Sequence, residues 1–257
     1  MDRTLTSRFE CKYLIPPGLV PALRTSLRPY VRPDEYAARS EDHSYWISSL
    51  YLDSPDLCLA RTTMEGHKSK FKLRILYYSD RVGEPVFCEI KRRNNQVVKK
   101  RRAAVSRSAA AAFLAGRALN GGRGDASFRE FVDLSFRCNA RPVIRVKYRR
   151  EAYESASGEP VRITFDTRLC HLLTTDGNLS LNGGGWREHD PGGVIFEIKF
   201  TGNYPRWVRE LIRRFGLQKQ SIPKYVMSVL QARPGGALSR PEPIIVSRGA
   251  RLLKGVF

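Results

Sequence analysis

Val86-Phe87-Cys88-Glu89-Ile90-Lys91 and Val194-Ile195-Phe196-Glu197-Ile198-Lys199 are nearly the same six residues, written twice in one chain. In an extended strand, side chains two apart point the same way. Glu89 and Lys91 therefore share one face, as do Glu197 and Lys199. The apolar Cys88 and Ile90, or Phe196 and Ile198, take the opposite face. One such strand reads as an ordinary half-solvated strand. Two of them, among further strands with basic alternate positions, suggest a sheet curled with its charged face inward.

The surrounding chain supplies those further strands. Arg8-Phe9-Glu10-Cys11-Lys12-Tyr13-Leu14-Ile15 alternates strictly, with Arg8, Glu10 and Lys12 on one face. Pro16-Pro17-Gly18 ends it, and Leu19, Val20, Leu23 and Leu27 fit a short amphipathic helix. Residues 29–44 read as loop, and 45–52 as a strand. Asp53-Ser54-Pro55 is an N-cap candidate before a Pro suited to the first turn of a helix that reaches about residue 64. Segments 70–79, 85–93 and 96–105 form a meander, with Lys70, Lys72 and Arg74 on one face of its first strand. In its third strand Lys99 and Arg101 share one face, Lys100 and Arg102 the other, which predicts an edge or rim.

Helices are predicted over 109–119 and 127–138, with a Gly-rich loop at 121–125 between them. Segments 142–153 and 161–168 are returning strands, with Arg162, Thr164 and Asp166 aligned on the second. Residues 170–193 are Gly- and Asn-rich, and helices follow over 205–215 and 224–230. From residue 233 the chain reads as a poorly ordered basic tail, so the expected organisation is one domain over 1–232 and a tail over 233–257. No βαβ alternation occurs, which argues against a parallel doubly wound sheet. The predicted fold class is α+β: an antiparallel barrel of about eight strands with helices packed outside.

Composition bounds the partners. At 257 residues and 42% hydrophobic the chain can bury a sizeable core. Its 45 Lys+Arg against 25 Asp+Glu give a net charge of +20, which attracts polyanions of any kind, nucleic acid included. The cysteines are scattered without a CxxC pair, and the histidines show no metal-ligand spacing, so neither a disulfide framework nor a zinc site is expected. The start lacks a hydrophobic signal core and no stretch approaches roughly 18 apolar residues, so a cytoplasmic protein is expected.

The aligned charges form one candidate lining: Arg8, Glu10, Lys12, Lys70, Lys72, Arg74, Glu89, Lys91, Lys99, Arg101, Arg162, Glu197 and Lys199. Enclosed like charges are costly unless paired, and a linear polyanion such as a triphosphate would supply the counter-charge. Arg grips phosphate with a planar fork, and Lys acts as a movable point charge. The interspersed glutamates suit Mg²⁺ or Mn²⁺ bridging the phosphates better than they suit anion binding. Phosphoryl transfer needs mainly alignment and charge neutralisation, so the lack of a catalytic His or Ser is no objection. Periodicity alone leaves the alternative open that these residues are a solvated face with surface ion pairs.

At these residues the sequence resembles the VTC domain, the polyphosphate polymerase branch of the triphosphate tunnel (CYTH-like) superfamily. The resemblance is carried, in order, by Arg8-Phe9-Glu10-Cys11-Lys12-Tyr13, Ser49-Leu50-Tyr51-Leu52-Asp53-Ser54, Lys72-Leu73-Arg74, Phe87-Cys88-Glu89-Ile90-Lys91-Arg92, Val98-Lys99-Lys100-Arg101, Tyr148-Arg149-Arg150, Val161-Arg162-Ile163-Thr164-Phe165-Asp166, Phe196-Glu197-Ile198-Lys199 and Pro223-Lys224-Tyr225. It implies an eight-stranded tunnel that adds the terminal phosphate of ATP to a growing polyphosphate chain and releases ADP. It implies catalytic roles for Lys91, Arg74, Arg162, Lys199 and Glu197. Lys12, Lys72, Lys99, Arg101, Tyr148, Arg150 and Lys224 would bind substrate. Glu197 would hold Mn²⁺ or Mg²⁺, with Glu10 and Glu89 as helpers.

Arg8 stands where the wider superfamily's Glu-x-Glu-x-Lys motif begins, which suits a VTC-like member over a thiamine triphosphatase or class IV adenylyl cyclase relative. Leu76 stands where the family tends to have a second Arg, with Lys72 able to compensate, and Pro223 stands where it usually has Ser. Around Tyr148 strict alternation groups Arg145, Lys147 and Arg149 on the charged face instead, a conflict that a bulge would resolve. Eukaryotic relatives carry inositol-phosphate-sensing and membrane segments that this sequence does not show. Two other functions stay open: a tunnel triphosphatase, and a non-catalytic module binding polyphosphate or nucleic acid. No RNP-like or helix-turn-helix signature favours nucleic acid.

Overall fold

The computed structural model describes residues 8–95, 97–117, 125–158, 160–202 and 205–233. The basic tail from 234 and the glycines of the 121–125 loop lie outside the described residues. The fold is α+β, an antiparallel sheet with helices. Its strands are β1 (Arg8–Ile15), β2 (Val31–Pro33), β3 (Ser44–Asp53), β4 (Ser69–Tyr77), β5 (Val86–Asn94), β6 (Val97–Val105), β7 (Arg141–Ser155), β8 (Val161–Leu173), β9 (Arg187–Glu188) and β10 (Val194–Thr201). The helices are α1 (Val20–Leu27), α2 (Cys58–Met64), α3 (Arg107–Leu114), α4 (Ala126–Arg137), α5 (Arg206–Arg214) and α6 (Lys224–Ala232). None is long and apolar enough to cross a membrane.

The sequence predicts about eight strands in a barrel; the sheet has ten, in the order β2-β7-β3-β4-β5-β6-β1-β10-β8-β9, with β7 also paired to β8. The two extra strands are short and marginal. Between β6 and β1 the register holds a single pair, Arg8↔Val98, so the expected barrel is not an uninterrupted ladder. The loop at 29–44 contains β2, and β8 runs on past residue 168 because a bulge absorbs an extra residue. Lys147↔Cys170 and Arg149↔Thr167 bracket that bulge, where Arg168 takes φ 51°. Gly193 enters β10 at φ 141°, where an added Cβ would lie 2.5 Å from the Ile15 carbonyl oxygen.

Two apolar layers cover the outside of the sheet. Cys11, Tyr13, Phe165, Phe196 and Ile198 pack against Leu23 and Leu27 of α1 and Val208 and Leu211 of α5. Leu50, Leu73, Ile75, Cys88 and Ile90 pack against Ala110 of α3 and Phe131 of α4. The apolar sides of both Glu-Ile-Lys strands are thus buried under helices, and the opposite face is turned away from them. At one end of that opposite face Ile47, Tyr51, Leu76, Ile144, Val146 and Ile195 pack on Tyr225, Val226 and Val229 of α6.

Asp53 ties this end together. Its carboxylate accepts from the backbone N–H groups of Ser54, Leu59 and Ala60 and from the Tyr225 hydroxyl at 2.6 Å. The capping role predicted for Asp53 is real, but the helix it caps begins three residues beyond Pro55, at Cys58, after Leu57 in a left-handed conformation at φ 58°.

Candidate functional site

Contacts between strands that are not neighbours establish the curvature. Lys91 on β5 reaches across β6 to Glu10 on β1 at 2.8 Å. Arg150 on β7 comes within 3.5 Å of Glu197 on β10, across β8, and Arg162 on β8 reaches Tyr45 on β3 at 3.2 Å, across β7. Such reaches are available only on a concave face. Lys91 keeps 30% of its side-chain surface and Lys199 23%, so this concavity admits water.

Glu10, Lys12, Glu197 and Lys199 form one knot, because β1 and β10 pair with Glu10 opposite Lys199 and Lys12 opposite Glu197. The Lys12 nitrogen lies 3.1 Å from Glu10 and 3.8 Å from Glu197, and donates to the Ile222 carbonyl just before α6. Lys199 pairs with Glu197 at 2.8 Å. Burial alone would push both carboxyls up; Lys91, Lys12 and Lys199 outweigh it and hold Glu10 well below the usual range, and Glu197 also stays lowered. Burial draws the Lys199 ammonium down to about 8 even against the pull of Glu197.

A second knot centres on Asp166. Arg150 donates to both its oxygens at 2.6 and 2.7 Å, and Lys224 pairs with it at 2.7 Å. Tyr148 turns its ring face to both cations, 5.2 Å from the Arg150 guanidinium carbon and 4.8 Å from the Lys224 nitrogen. The conflict around Tyr148 resolves without a bulge in β7 at that residue; the irregularity of β7 against β3 lies further on, between Ile144 and Pro142. Its register with β3 runs unbroken from Arg150↔Tyr45 through Tyr148↔Ile47, which places Tyr148 and Arg150 on the concave side. Arg145, Lys147 and Arg149 face outward, Lys147 lying 4.3 Å from the Trp186 ring and Arg149 reaching Asp42.

The third knot corrects two assignments. Glu89 is fully buried and accepts from Arg74 Nε at 2.9 Å and from Arg102 at 3.0 and 3.1 Å, with Lys100 at 3.7 Å. Lys100 and Arg102, not Lys99 and Arg101, are therefore the inward pair of β6. Arg101 and Arg92 instead turn outward to Glu130 on α4, at 2.9 and 2.7 Å, and Lys99 lies directly opposite Arg92. With both oxygens taken by guanidinium groups, Glu89 does not fit a metal ligand; it anchors Arg74 and Arg102.

Lys72 lies opposite Lys91 and forms no ion pair among the described residues. Burial, then Lys12 and Lys91, hold its pKa well below the ordinary lysine value. Arg162 pairs with Asp34, whose buried carboxylate also accepts from Tyr45 and from the Ala37 N–H. No sequence signal marks Asp34, which sits in a segment that reads as loop. Asp166 and Thr164 were visible in the alignment with Arg162, and the Thr164 hydroxyl is buried with no hydrogen-bond partner.

No three acidic, histidine or cysteine side chains gather into a metal cage among the described residues. A divalent ion carried by phosphates needs only one or two protein carboxylates. The adjacent Glu10 and Glu197 fit that requirement. In sum, the concave face holds more cations than carboxylates, arranged so that some lysines lack a full partner. Such a surface has the charge to complement an anion.

The fold is shared with a solved structure. A candidate adenylate cyclase from Bacillus halodurans superposes with a TM-score of 0.50 at 13% identity, covering 84% of this chain and 93% of its own. A candidate adenylate cyclase from Vibrio parahaemolyticus gives 0.46 at 11% identity, covering 87% of this chain and 98% of its own. No curated protein matches the sequence. The family model of the VTC domain matches residues 7–233, so it takes in every strand and helix described above; the chain belongs to the VTC domain family.

Proposed function

We propose that the chain is a polyphosphate polymerase, transferring the terminal phosphate of ATP to a growing inorganic polyphosphate inside an eight-stranded tunnel formed by β7, β3, β4, β5, β6, β1, β10 and β8. The observation that supports this reading is the excess of cations over carboxylates on the concave face, where Lys72 lies opposite Lys91 and has no carboxylate partner among the described residues, which calls for a polyanion rather than a single phosphate.

In this reading Lys72, Lys91, Lys12 and Lys199 hold the phosphates, while Arg74, Arg150, Arg162 and Lys224, each already anchored by a carboxylate, act as fixed donors. The attacking group is an oxygen of the chain's terminal phosphate, already ionised, so no general base is required. A new P–O bond forms to the γ-phosphorus as its bond to the β-phosphate oxygen breaks, and ADP leaves with that electron pair. The nearby cations neutralise the charge that develops on the leaving oxygen. Glu197 and Glu10 would hold Mn²⁺ or Mg²⁺, which when bound supplies further neutralisation of the phosphate oxygens.

The pure protein incubated with ATP and Mn²⁺ should yield ADP and a ladder of phosphate polymers. Free phosphate without polymer would replace this reading with a triphosphatase, in which water takes the place of the chain terminus. Polyphosphate binding without turnover would reduce the protein to a binding module.

A further inference from the structure

Thr164 lies on the concave side of β8, between Arg162 and Asp166 in the alternating row. It is fully buried, and its hydroxyl has no hydrogen-bond partner among the described residues. A buried hydroxyl left unpaired costs stability. Valine has the same shape and suits a strand as well, without that cost.

The ladder restricts what this hydroxyl can reach. Thr164 is directly opposite Glu197 on β10 and Ala152 on β7, and directly opposite side chains stand about 5 Å apart at Cβ. Ala152 has no polar side-chain atom. Of the diagonal neighbours, Arg150 and Lys199 only donate, and Glu154 is paired with Arg32. Asp166, about 7 Å along the same strand, is held by Arg150 and Lys224. Glu197 is the acceptor that remains. Because Thr164 exposes no surface to the concavity, it acts through that carboxylate and not on a phosphate directly. Glu197 is otherwise surrounded by cations: Oε2 accepts from Lys199 at 2.8 Å and lies 3.5 Å from Arg150, and Oε1 lies 3.8 Å from Lys12. An ammonium group and a divalent cation repel each other on one carboxylate. A neutral hydroxyl does not, and Thr164 is the neutral donor in this set.

We infer that Thr164 is a positioning residue for Glu197: its hydroxyl donates to the carboxylate when Lys199 turns to phosphate and Glu197 to a phosphate-bound divalent ion. The bond fixes which oxygen faces the ion. The inference rests on the proposed function in assigning the ion to Glu197, and it adds a residue that touches neither ion nor substrate.

The test is Mn²⁺ titration of the full chain in excess over tripolyphosphate, with free ion read by electron paramagnetic resonance. Calorimetry with tripolyphosphate and no metal runs beside it. Thr164→Val should weaken Mn²⁺ binding about tenfold. Its metal-free tripolyphosphate affinity should not change, and its unfolding midpoint should stay level or rise, since an unpaired hydroxyl has gone. Thr164→Ser keeps the donor and should restore Mn²⁺ binding. In a Glu197→Gln background, Thr164→Val should cause no further loss, because the two residues act as one unit. Unchanged Mn²⁺ affinity in Thr164→Val, a loss that Thr164→Ser does not restore, or a further tenfold loss on top of Glu197→Gln overturns the role of Thr164. An equal loss of metal-free tripolyphosphate affinity does so as well. Each of these leaves the assignment of the ion to Glu197 standing. If Glu197→Gln itself leaves Mn²⁺ binding unchanged, that assignment fails, and the inference with it.

Discussion

The Lys72 nitrogen stands 5.8 Å from the centroid of the Tyr225 ring, and that aromatic face takes the place of a counter-ion. A buried ammonium held this way is stabilising for a ligand and destabilising for the empty fold. Lys72→Met should therefore raise the unfolding free energy of the unliganded protein by about 1 kcal/mol. The same change should lower tripolyphosphate affinity about tenfold. Chemical denaturation and titration of one preparation check both; a variant that loses stability as well as affinity would contradict the assignment.

The lysines also set a pH dependence. Burial brings Lys199 down to about 8, against about 10.4 for an unfolded lysine. Between those values the unfolded chain binds more protons than the folded one, so this group's contribution to stability rises with pH from about 8 to 10 and is lost as pH falls through 8. Phosphate binding runs the other way, since it needs the ammonium charged. Tripolyphosphate affinity should fall as pH rises above about 8, with proton uptake on binding at pH 8–9. Calorimetry in buffers of different ionisation heat measures that uptake directly.

The inward and outward sides of β6 predict different consequences. Arg101→Ala removes an exposed partner of Glu130 and should change stability by less than about 1 kcal/mol, with ATP turnover intact. Arg102→Ala strips a buried carboxylate of one guanidinium and should cost about 3 kcal/mol, with turnover falling at least tenfold. Equal effects of the two changes would place the wrong parity on the concave face.

Glu197→Gln separates metal from phosphate binding. The variant should need a markedly higher Mn²⁺ concentration for turnover while binding tripolyphosphate in the absence of metal at least as well as before, because a negative charge has left the site. Glu89→Gln should instead destabilise the protein through Arg74 and Arg102, with no change in the metal requirement.

Asp53→Ala tests the tether between α2 and α6. It removes acceptors from the Leu59 and Ala60 N–H groups and from the Tyr225 hydroxyl in a fully buried setting. A loss of about 2–4 kcal/mol is expected from thermal or denaturant unfolding.

Alternation was enough to assign the eight longer strands and to separate their two sides, while the short β2 and β9 carry no such pattern. Glu89 with Lys91, and Glu197 with Lys199, fall together on the concave face, because a side chain two residues along an extended strand cannot point elsewhere. Which side turns inward is a different matter where both sides are basic. In β6 the choice is made by Glu130 on α4, which draws Arg101 outward together with Arg92 of β5. In β7 it is made partly by Trp46 and Trp186, which cover Lys147 on the outside. Asp34, the partner of Arg162, lies 128 residues away in sequence and became legible only in three dimensions. The period of two records relative sides and nothing more; the helices that settle on one of them decide which charges are enclosed.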